Sequence, residues 1–166
     1  MAKRAVSIAE STLGKDHPDT AAALNNLAQT RRMRGRYAEA EPLYRRALEI
    51  WKGAGMAGTR EYAWAAGNLA GFFYERGRYS GAEELFRRAI GVLERASGPQ
   101  SSDVAVMQCG LAEVYQAMQR NTQAEAIYRE WIPLVQNKEK LDRAVAAYMR
   151  LKQKSTRTAR SFQAAP

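Results

Sequence analysis

The sequence has 166 residues, of which 46% are hydrophobic and 26% charged, and it holds a single cysteine, Cys109. This composition is typical of one globular domain and excludes a disordered, collagen-like or disulfide-stapled chain. The net charge is +9, and the segment 137–166, with eight basic and two acidic residues, supplies most of it. The apolar runs are too short for a transmembrane helix or a secretory signal, so we expect no membrane insertion and a cytoplasmic location.

An internal repeat dominates the chain. Shifting the sequence by 42 residues places Asn26-Leu27-Ala28 on Asn68-Leu69-Ala70 and Gly35-Arg36-Tyr37 on Gly77-Arg78-Tyr79. A third copy is weaker, with Gln119 at the glycine position. Within each copy the apolar residues recur every three and four positions, which predicts two amphipathic helices joined by a tight turn. We therefore expect the hairpins to stack on one another, because one hairpin alone buries too little apolar surface to be stable.

The predicted elements follow from this alignment in chain order. The chain opens on the second half of a repeat, since Lys3-Arg4-Ala5-Val6 matches Arg45-Arg46-Ala47-Leu48. After the third repeat, an amphipathic stretch is typical of a helix that caps the last hairpin. We expect the second helix of a preceding half repeat at 1–13, repeats at 14–56 and 57–98, a degenerate repeat at 99–136, a capping helix at 137–152 and a flexible basic tail at 153–166.

The amino-acid sequence of the first repeat resembles that of a known family. Asp16-His17-Pro18-Asp19-Thr20, followed by Leu24-Asn25-Asn26-Leu27-Ala28 and the segment 35–48, is similar to the kinesin-light-chain type of the tetratricopeptide repeat. The resemblance implies an all-α, right-handed superhelical solenoid of antiparallel helix pairs whose concave groove binds partner proteins. Two residues depart from the pattern, because Arg31 stands at an aromatic position and Trp131 at a small one.

Three features could suggest chemistry, and each has a structural explanation. The glycines from Gly53 to Gly58 match a dinucleotide-binding pattern, but that pattern needs a preceding strand and here follows a helix. His17 fits a helix start, and Cys109 fits a small helical residue. The spacing of His, Cys and carboxylate residues offers no zinc site. We therefore expect a protein that is not an enzyme and that uses no cofactor or metal.

The candidate ligand-binding residues lie on the first helix of each repeat. The resemblance implies ligand contact at Asn26 and its counterpart Asn68, whose amides can both donate and accept hydrogen bonds. Trp64 and Tyr74 are the expected apolar anchors, although Trp64 could instead pack against a neighbouring helix. Gly67 and Gly71 could admit a ligand backbone or another helix. Helical spacing adds further residues to the same wall, namely Asn25, Gln29, Arg32, Glu75 and Glu113.

Three functions remain open at this point. The leading hypothesis is a non-catalytic scaffold that holds a peptide segment of a partner protein in the groove. The first alternative is a self-assembling unit, because the opening half repeat exposes an unpaired helix face. The second is binding of nucleic acid or another acidic surface by the basic tail, which we do not expect because aromatic residues are nearly absent from it. The tail cations are Arg150, Lys152, Lys154, Arg157 and Arg160.

Overall fold

The computed structural model describes the backbone of residues 2–163 and the side chains of residues 2–153. These residues form helices and no strand, which confirms the all-α helical-repeat fold. None of the described helices is long and apolar enough to cross a bilayer. The helices are α1 (Ala2–Thr12), α2 (Pro18–Met33), α3 (Tyr37–Gly53), α4 (Arg60–Glu75), α5 (Tyr79–Ser97), α6 (Ser102–Ala117), α7 (Asn121–Trp131) and α8 (Lys138–Gln163), with a 3-10 turn at Ile132–Leu134 before α8.

Local sequence explains where the helices begin. The Nδ1 atom of His17 accepts a hydrogen bond from the backbone N–H of Asp19 at 3.2 Å, so this histidine is a helix cap, as the sequence predicts. Thr59 and Ser101 cap α4 and α6 in the same way through their hydroxyls. These caps satisfy backbone donors that have no partner inside the helix. They therefore fix the start of each first helix in the stack.

The turn between the two helices of a repeat requires a left-handed residue. Gly35 and Gly77 occupy it with φ of 71° and 73°. In the third repeat Gln119 takes the same conformation, with φ of 62°, and is the non-glycine residue with positive φ among those described. A side chain is strained there, because its Cβ approaches the following carbonyl. The third hairpin therefore keeps the turn at a conformational cost.

Small residues let the helices of each pair cross closely. The helices pair as α2 with α3, α4 with α5 and α6 with α7, and each pair contacts the next. The alanines that the sequence places at these crossings are fully buried, and larger side chains there would push the helices apart. They are Ala28, Ala40, Ala70, Ala82, Ala112 and Ala124, each 0% exposed.

A repeated ion pair links each hairpin to the next. Near the start of the second helix of each repeat, a glutamate forms an ion pair with an arginine or lysine of the following unit. In the first pair the nitrogen and oxygen atoms are 2.7 Å apart. The hydrogen bond from Arg78, with help from Arg45, lowers the pKa of Glu41. In the third case the cation comes from α8, which therefore replaces a fourth repeat in this contact. The pairs are Glu41 with Arg78, Glu83 with Arg120, and Glu125 with Lys152.

Arg31 changes the packing of the first hairpin in a defined way. In the later repeats the equivalent aromatic ring lies under an arginine, with the Arg78 guanidinium 3.8 Å from the ring centroid of Phe73. Such a contact is a cation–π interaction. In the first repeat Arg31 instead forms an ion pair with Glu39, with nitrogen and oxygen 3.4 Å apart. An electrostatic contact inside the hairpin thus replaces an aromatic one.

The last helix is longer than the sequence predicts. The backbone of α8 is helical to Gln163, whereas we expected a capping helix that ends at residue 152 and a flexible tail from 153. The prediction failed because apolar periodicity fades after Leu151, while the remaining residues are still compatible with a helix. The side chains of Lys154, Arg157 and Arg160 lie outside the described residues. Ala144, Ala147 and Leu151 are buried, so α8 packs on the last hairpin.

Candidate functional site

The first helices form the inner wall of a curved stack. Contacts join α2 with α4, α4 with α6, and α6 with α8. No contact joins α3 with α5 or α5 with α7 within the described part of the chain. Because the first helices lie closer together than the second helices, the stack bends toward the first helices. The wall of this groove is the candidate site.

Two cavities lie along the groove. The first cavity, of about 380 Å³, lies between α2 and α4. The second cavity, of about 280 Å³, lies between α4, α6 and α8 and reaches the end of α2. The first includes Asn25, Asn26 and Trp64, and the second includes Gln29, Arg32, Trp64, Asn68 and Glu113. Seven of the nine predicted binding residues therefore line one or both cavities.

The two cavities are built from equivalent helix positions. On α4 the first cavity uses Arg60, Glu61, Trp64 and Ala65, and on α8 the second uses Glu139, Lys140, Arg143 and Ala144 with the same spacing. On α2 and α6 the matching sets are Ala22, Asn25 and Asn26, and Val106, Cys109 and Gly110. The helix α8 therefore has the register of a first helix and forms part of the wall. Sequence reasoning missed this role, although the spacing of Leu141, Ala144, Tyr148 and Leu151 repeats that of Tyr62, Ala65, Leu69 and Phe72.

Trp64 occupies the centre of the wall. Its side chain is half-buried, packs against the core and borders both cavities. The packing role that the sequence offered for Trp64 is therefore present, and the same indole also borders both cavities. A tryptophan fixed on one face and open on the other needs little ordering when it meets a ligand.

The asparagines are arranged differently from the expected ladder. The Nδ2 atom of Asn68 donates to Oδ1 of Asn25 across 3.3 Å, so Asn68 pairs with the residue before its sequence counterpart. Asn26 is exposed and borders the first cavity. This bond uses one of two donors on Asn68 and leaves the amides of both residues with further capacity. Gly110 takes the corresponding place in the third repeat, where the Phe86 ring fills the space.

The three predicted charged residues, Arg32, Glu75 and Glu113, form ion pairs within the wall. Arg32 donates two hydrogen bonds to Glu75, at 2.9 and 2.6 Å, and so joins α2 to α4. Arg143 of α8 binds the buried Glu113 of α6 in the same bidentate way, at 2.8 and 2.5 Å. Such fork-like pairs are strong and geometrically specific. Because each pair neutralises its own charges, its main effect is to hold two neighbouring helices together.

Tyr74 lies outside both cavities. Its ring contacts Tyr79 at the start of α5, with centroids 6.0 Å apart, and it packs against the core. Burial, and then the nearby Glu113, raise the pKa of Tyr74. Glu113 and Arg143, which border the second cavity, also act on the pKa of Tyr74, so this ring lies near that end of the wall, and its role as a groove anchor stays a prediction.

The two wall glycines admit side chains of neighbouring helices. A Cβ at Gly67 would lie 2.5 Å from the Met107 sulfur, so α6 fills this space. A Cβ at Gly71 would lie 3.5 Å from the Arg32 guanidinium, which passes over it toward Glu75. Of the two roles that the sequence left open for these glycines, the close approach of another helix is the one that explains Gly67.

The cysteine that lines the groove is not an activated nucleophile. Burial, followed by the nearby Glu113, raises the pKa of the Cys109 thiol to about 12, so the thiol stays protonated. Among the residues with described side chains, no three His, Cys, Asp or Glu groups are close enough to share a metal ion. The residues that line the two cavities offer apolar contact, amide hydrogen bonding and charged side chains.

Comparison with known proteins identifies the repeats. A family description, tetratricopeptide repeat, matches residues 1–53 and 61–137. No curated protein matches the sequence at a significant level. Among solved structures, BtubC (BKLC) from P. vanneervenii is 19% identical with a TM-score of 0.74, and the alignment covers 99% of this chain and 73% of that one. A protein of Podosopora anserina described as a kinesin light chain with nearly identical TPR-like repeats is 19% identical with a TM-score of 0.70, covering 99% and 86%.

Proposed function

The chain belongs to the tetratricopeptide repeat family, and we propose that it is a non-catalytic scaffold whose groove binds a peptide segment of a partner protein. Repeats of this family generally mediate protein–protein interaction. The observation that carries the proposal for this chain is the position of Trp64 between two cavities of equivalent construction. A groove with repeated cavities suits an extended segment whose side chains enter at regular intervals.

The chemistry of the wall defines the ligand. Cavities of about 280 and 380 Å³ lie near the lower end of small-molecule sites, so each suits a large side chain better than a whole ligand. Trp64 offers its exposed face to an aromatic or branched side chain. The amides of Asn25, Asn26 and Asn68, with Gln29, can hydrogen-bond the peptide backbone. We expect a segment with large apolar residues and no strong charge requirement.

Electrostatics separates this proposal from binding through the basic tail. The pairs Arg32 with Glu75, Arg143 with Glu113 and Arg60 with Asp103 neutralise most of the charges along the groove, and the other charged lining residues, Glu61, Glu139 and Lys140, carry both signs. Peptide binding should therefore change little with salt concentration, whereas nucleic-acid binding weakens steeply as salt rises. Of the tail cations, Lys152 already contacts Glu125. The arrangement favours the groove. A cytoplasmic location remains part of the proposal and rests on the sequence alone.

The experiment starts from selected peptides. Peptides of about twelve residues that bind the intact chain are selected from a displayed random library, and their affinities are measured by fluorescence anisotropy. Trp64→Ala should weaken binding at least about tenfold, which corresponds to about 1.4 kcal/mol and is typical of a buried anchor. Trp131→Ala is the matched control, because Trp131 is also half-buried but lies on α7 outside the groove.

Two further variants decide between the groove and the tail. Asn25→Ala with Asn68→Ala should weaken the same peptides, and a chain with glutamine at positions 154, 157 and 160 should bind them normally. Helical content by circular dichroism confirms that each variant is folded. If selected peptides bind Trp64→Ala as tightly as the intact chain, the groove is not the binding site. Loss of binding in the glutamine variant alone would assign the activity to the tail.

A further inference from the structure

A third cavity lies outside the groove, where the ends of α5 and α7 meet the loop before α6. Its volume is about 550 Å³. The residues that line it are Glu94, Pro99, Gln100, Glu130, Trp131 and Leu134. Trp131 is half-buried and stands where the repeat pattern places a small residue. This cavity therefore combines negative charge with an aromatic surface that the earlier repeats lack.

The first repeat contains an equivalent cavity of about 590 Å³. Each of the two cavities lies between the loop before a first helix and the second helix of the same repeat. An offset of two repeats, 84 residues, matches three lining positions of one cavity with three of the other. The matched residues are Asp16 with Gln100, Arg46 with Glu130, and Ile50 with Leu134. The first repeat therefore shows what the same position binds inside the chain.

In the first repeat this position holds an arginine. The Nη1 atom of Arg46 and the Oε1 atom of Glu10 are 2.7 Å apart. The Nη2 atom of Arg46 also donates to the backbone carbonyl of Lys15 at 3.4 Å. A guanidinium has five donors in a fixed plane, so one arginine can bind a carboxylate and a carbonyl together. Here it joins α3 to α1 and to the loop that follows α1.

The third repeat keeps the acceptors of this site and lacks its cation. Glu94 is the counterpart of the glutamate that binds Arg46, and Pro99 is the counterpart of the residue whose carbonyl accepts from it. Glu130 stands at the position of the arginine itself. Both glutamates are exposed, and neither forms an ion pair with a described residue. Two carboxylates beside one cavity repel each other, and a cation between them removes that repulsion.

We propose that this third cavity binds an arginine side chain of a partner protein. The guanidinium takes the place that Arg46 holds in the first repeat and donates to the carboxylates of Glu94 and Glu130. The indole of Trp131 adds a cation–π contact, for which tryptophan is the best aromatic residue. The cavity lies outside the groove, so this site is independent of peptide binding at Trp64.

A second copy of the chain is the competing source of the cation. The second repeat carries Lys52 and Arg88 at the positions of Glu94 and Glu130, and both cations are exposed. The Arg88 guanidinium already lies 5.5 Å from the ring centroid of Tyr62. Lysine lacks the planar fork that the first repeat uses. The arrangement therefore favours an arginine from a different protein.

The test uses the three tryptophan indoles as reporters. Their N–H resonances are recorded on isotope-labelled protein while Nα-acetyl-arginine methylamide is added, and Trp131→Phe identifies the signal of the cavity. We expect this signal to shift saturably at millimolar probe concentrations, while the signals of Trp51 and Trp64 stay in place. The citrulline analogue has a similar shape without the charge and should shift none of them. An unmoved Trp131 signal, or an equal shift with citrulline, would overturn the assignment.

Glu130→Arg restores the arrangement of the first repeat and is the decisive variant. Its own guanidinium should pair with Glu94, which abolishes the response of Trp131 to the probe and raises the Tm. Glu84→Arg is the matched control, because it makes the same charge change at an exposed site near the start of α5, away from the cavity. It should respond normally, as should Trp64→Ala, so failure here is distinguishable from failure of the groove. An undiminished response in Glu130→Arg would show that the cavity is not the binding site.

Two further measurements complete the design. Glu94→Gln should weaken probe binding about threefold, as expected for the loss of one exposed ion pair, and unchanged binding would exclude this carboxylate from the site. The Trp131 signal is also followed over a range of protein concentrations without probe, where it should not move. A shift with concentration that disappears in Lys52→Gln with Arg88→Gln would assign the cation to a second copy and overturn the choice of a partner protein.

Discussion

Removing a buried hydroxyl from the third hairpin should stabilise the protein. Tyr128 is 0% exposed, and its hydroxyl has no hydrogen-bond partner among the described residues. Burial, with the nearby Glu113 as a smaller cause, raises the pKa of Tyr128, so the group stays neutral. The second repeat already carries Phe86 at the equivalent position. Tyr128→Phe therefore keeps the ring and removes the unpaired group.

The size of the effect follows from two opposing contributions. An unpaired buried hydroxyl costs about 1–3 kcal/mol of folding free energy. Its removal leaves a small void, and the lost dispersion contacts are worth about 0.1–0.2 kcal/mol each. We expect a net gain of about 1 kcal/mol, which in a chain of this size raises the Tm by about 2–4 °C.

The assay is thermal and urea unfolding followed by far-ultraviolet circular dichroism. Tyr44→Phe is the matched comparison, because the Tyr44 hydroxyl is equally buried but lies beside the Arg32 guanidinium, which opposes the rise in its pKa caused by burial. The gain should be smaller there than at Tyr128. A Tm that falls by several degrees in Tyr128→Phe would show that the hydroxyl is hydrogen-bonded and refute the reasoning.

Two other predictions concern the turns and the ion pairs between repeats. Gln119→Gly should stabilise the chain by about 1 kcal/mol, since glycine adopts the left-handed conformation without strain. Gly77→Gln should destabilise the chain by about the same amount. A Cβ at Gly77 would meet no other atom, so the cost is that of the backbone conformation alone. Urea unfolding measures both, and equal stabilities for the two variants would contradict this account. The contact with Arg78 lowers the pKa of Glu41 in the folded protein. The ion pair therefore stabilises the fold fully above the ordinary pKa of glutamate, about 4.3, and this stabilisation is lost as the pH falls toward the lower pKa of the folded state. Between about pH 5 and pH 3 the Tm of Glu41→Gln should fall less than that of the intact chain, and parallel curves would remove this pair as a cause of acid sensitivity.

The sequence by itself determined the repeat and its local structure. Helices, caps and turns depend on residues within a few positions of one another, so periodicity, Pro18 and Gly35 were sufficient to predict them. The departure at Gln119 was also visible, because the repeat supplies a template against which one residue can be compared. The burial of the crossing alanines followed from the same template.

Tertiary structure decided how the wall is connected. Asn68 bonds Asn25, the residue before its sequence counterpart Asn26, and the ring of Tyr74 contacts Tyr79 of its own hairpin. The stack rotates slightly from repeat to repeat, so residues at equivalent positions do not lie directly opposite one another, and sequence spacing cannot give that rotation. The same limit applies to α8. Its register as a wall helix depends on the ion pair between Arg143 and Glu113 and on packing against α6, contacts between residues far apart in the chain.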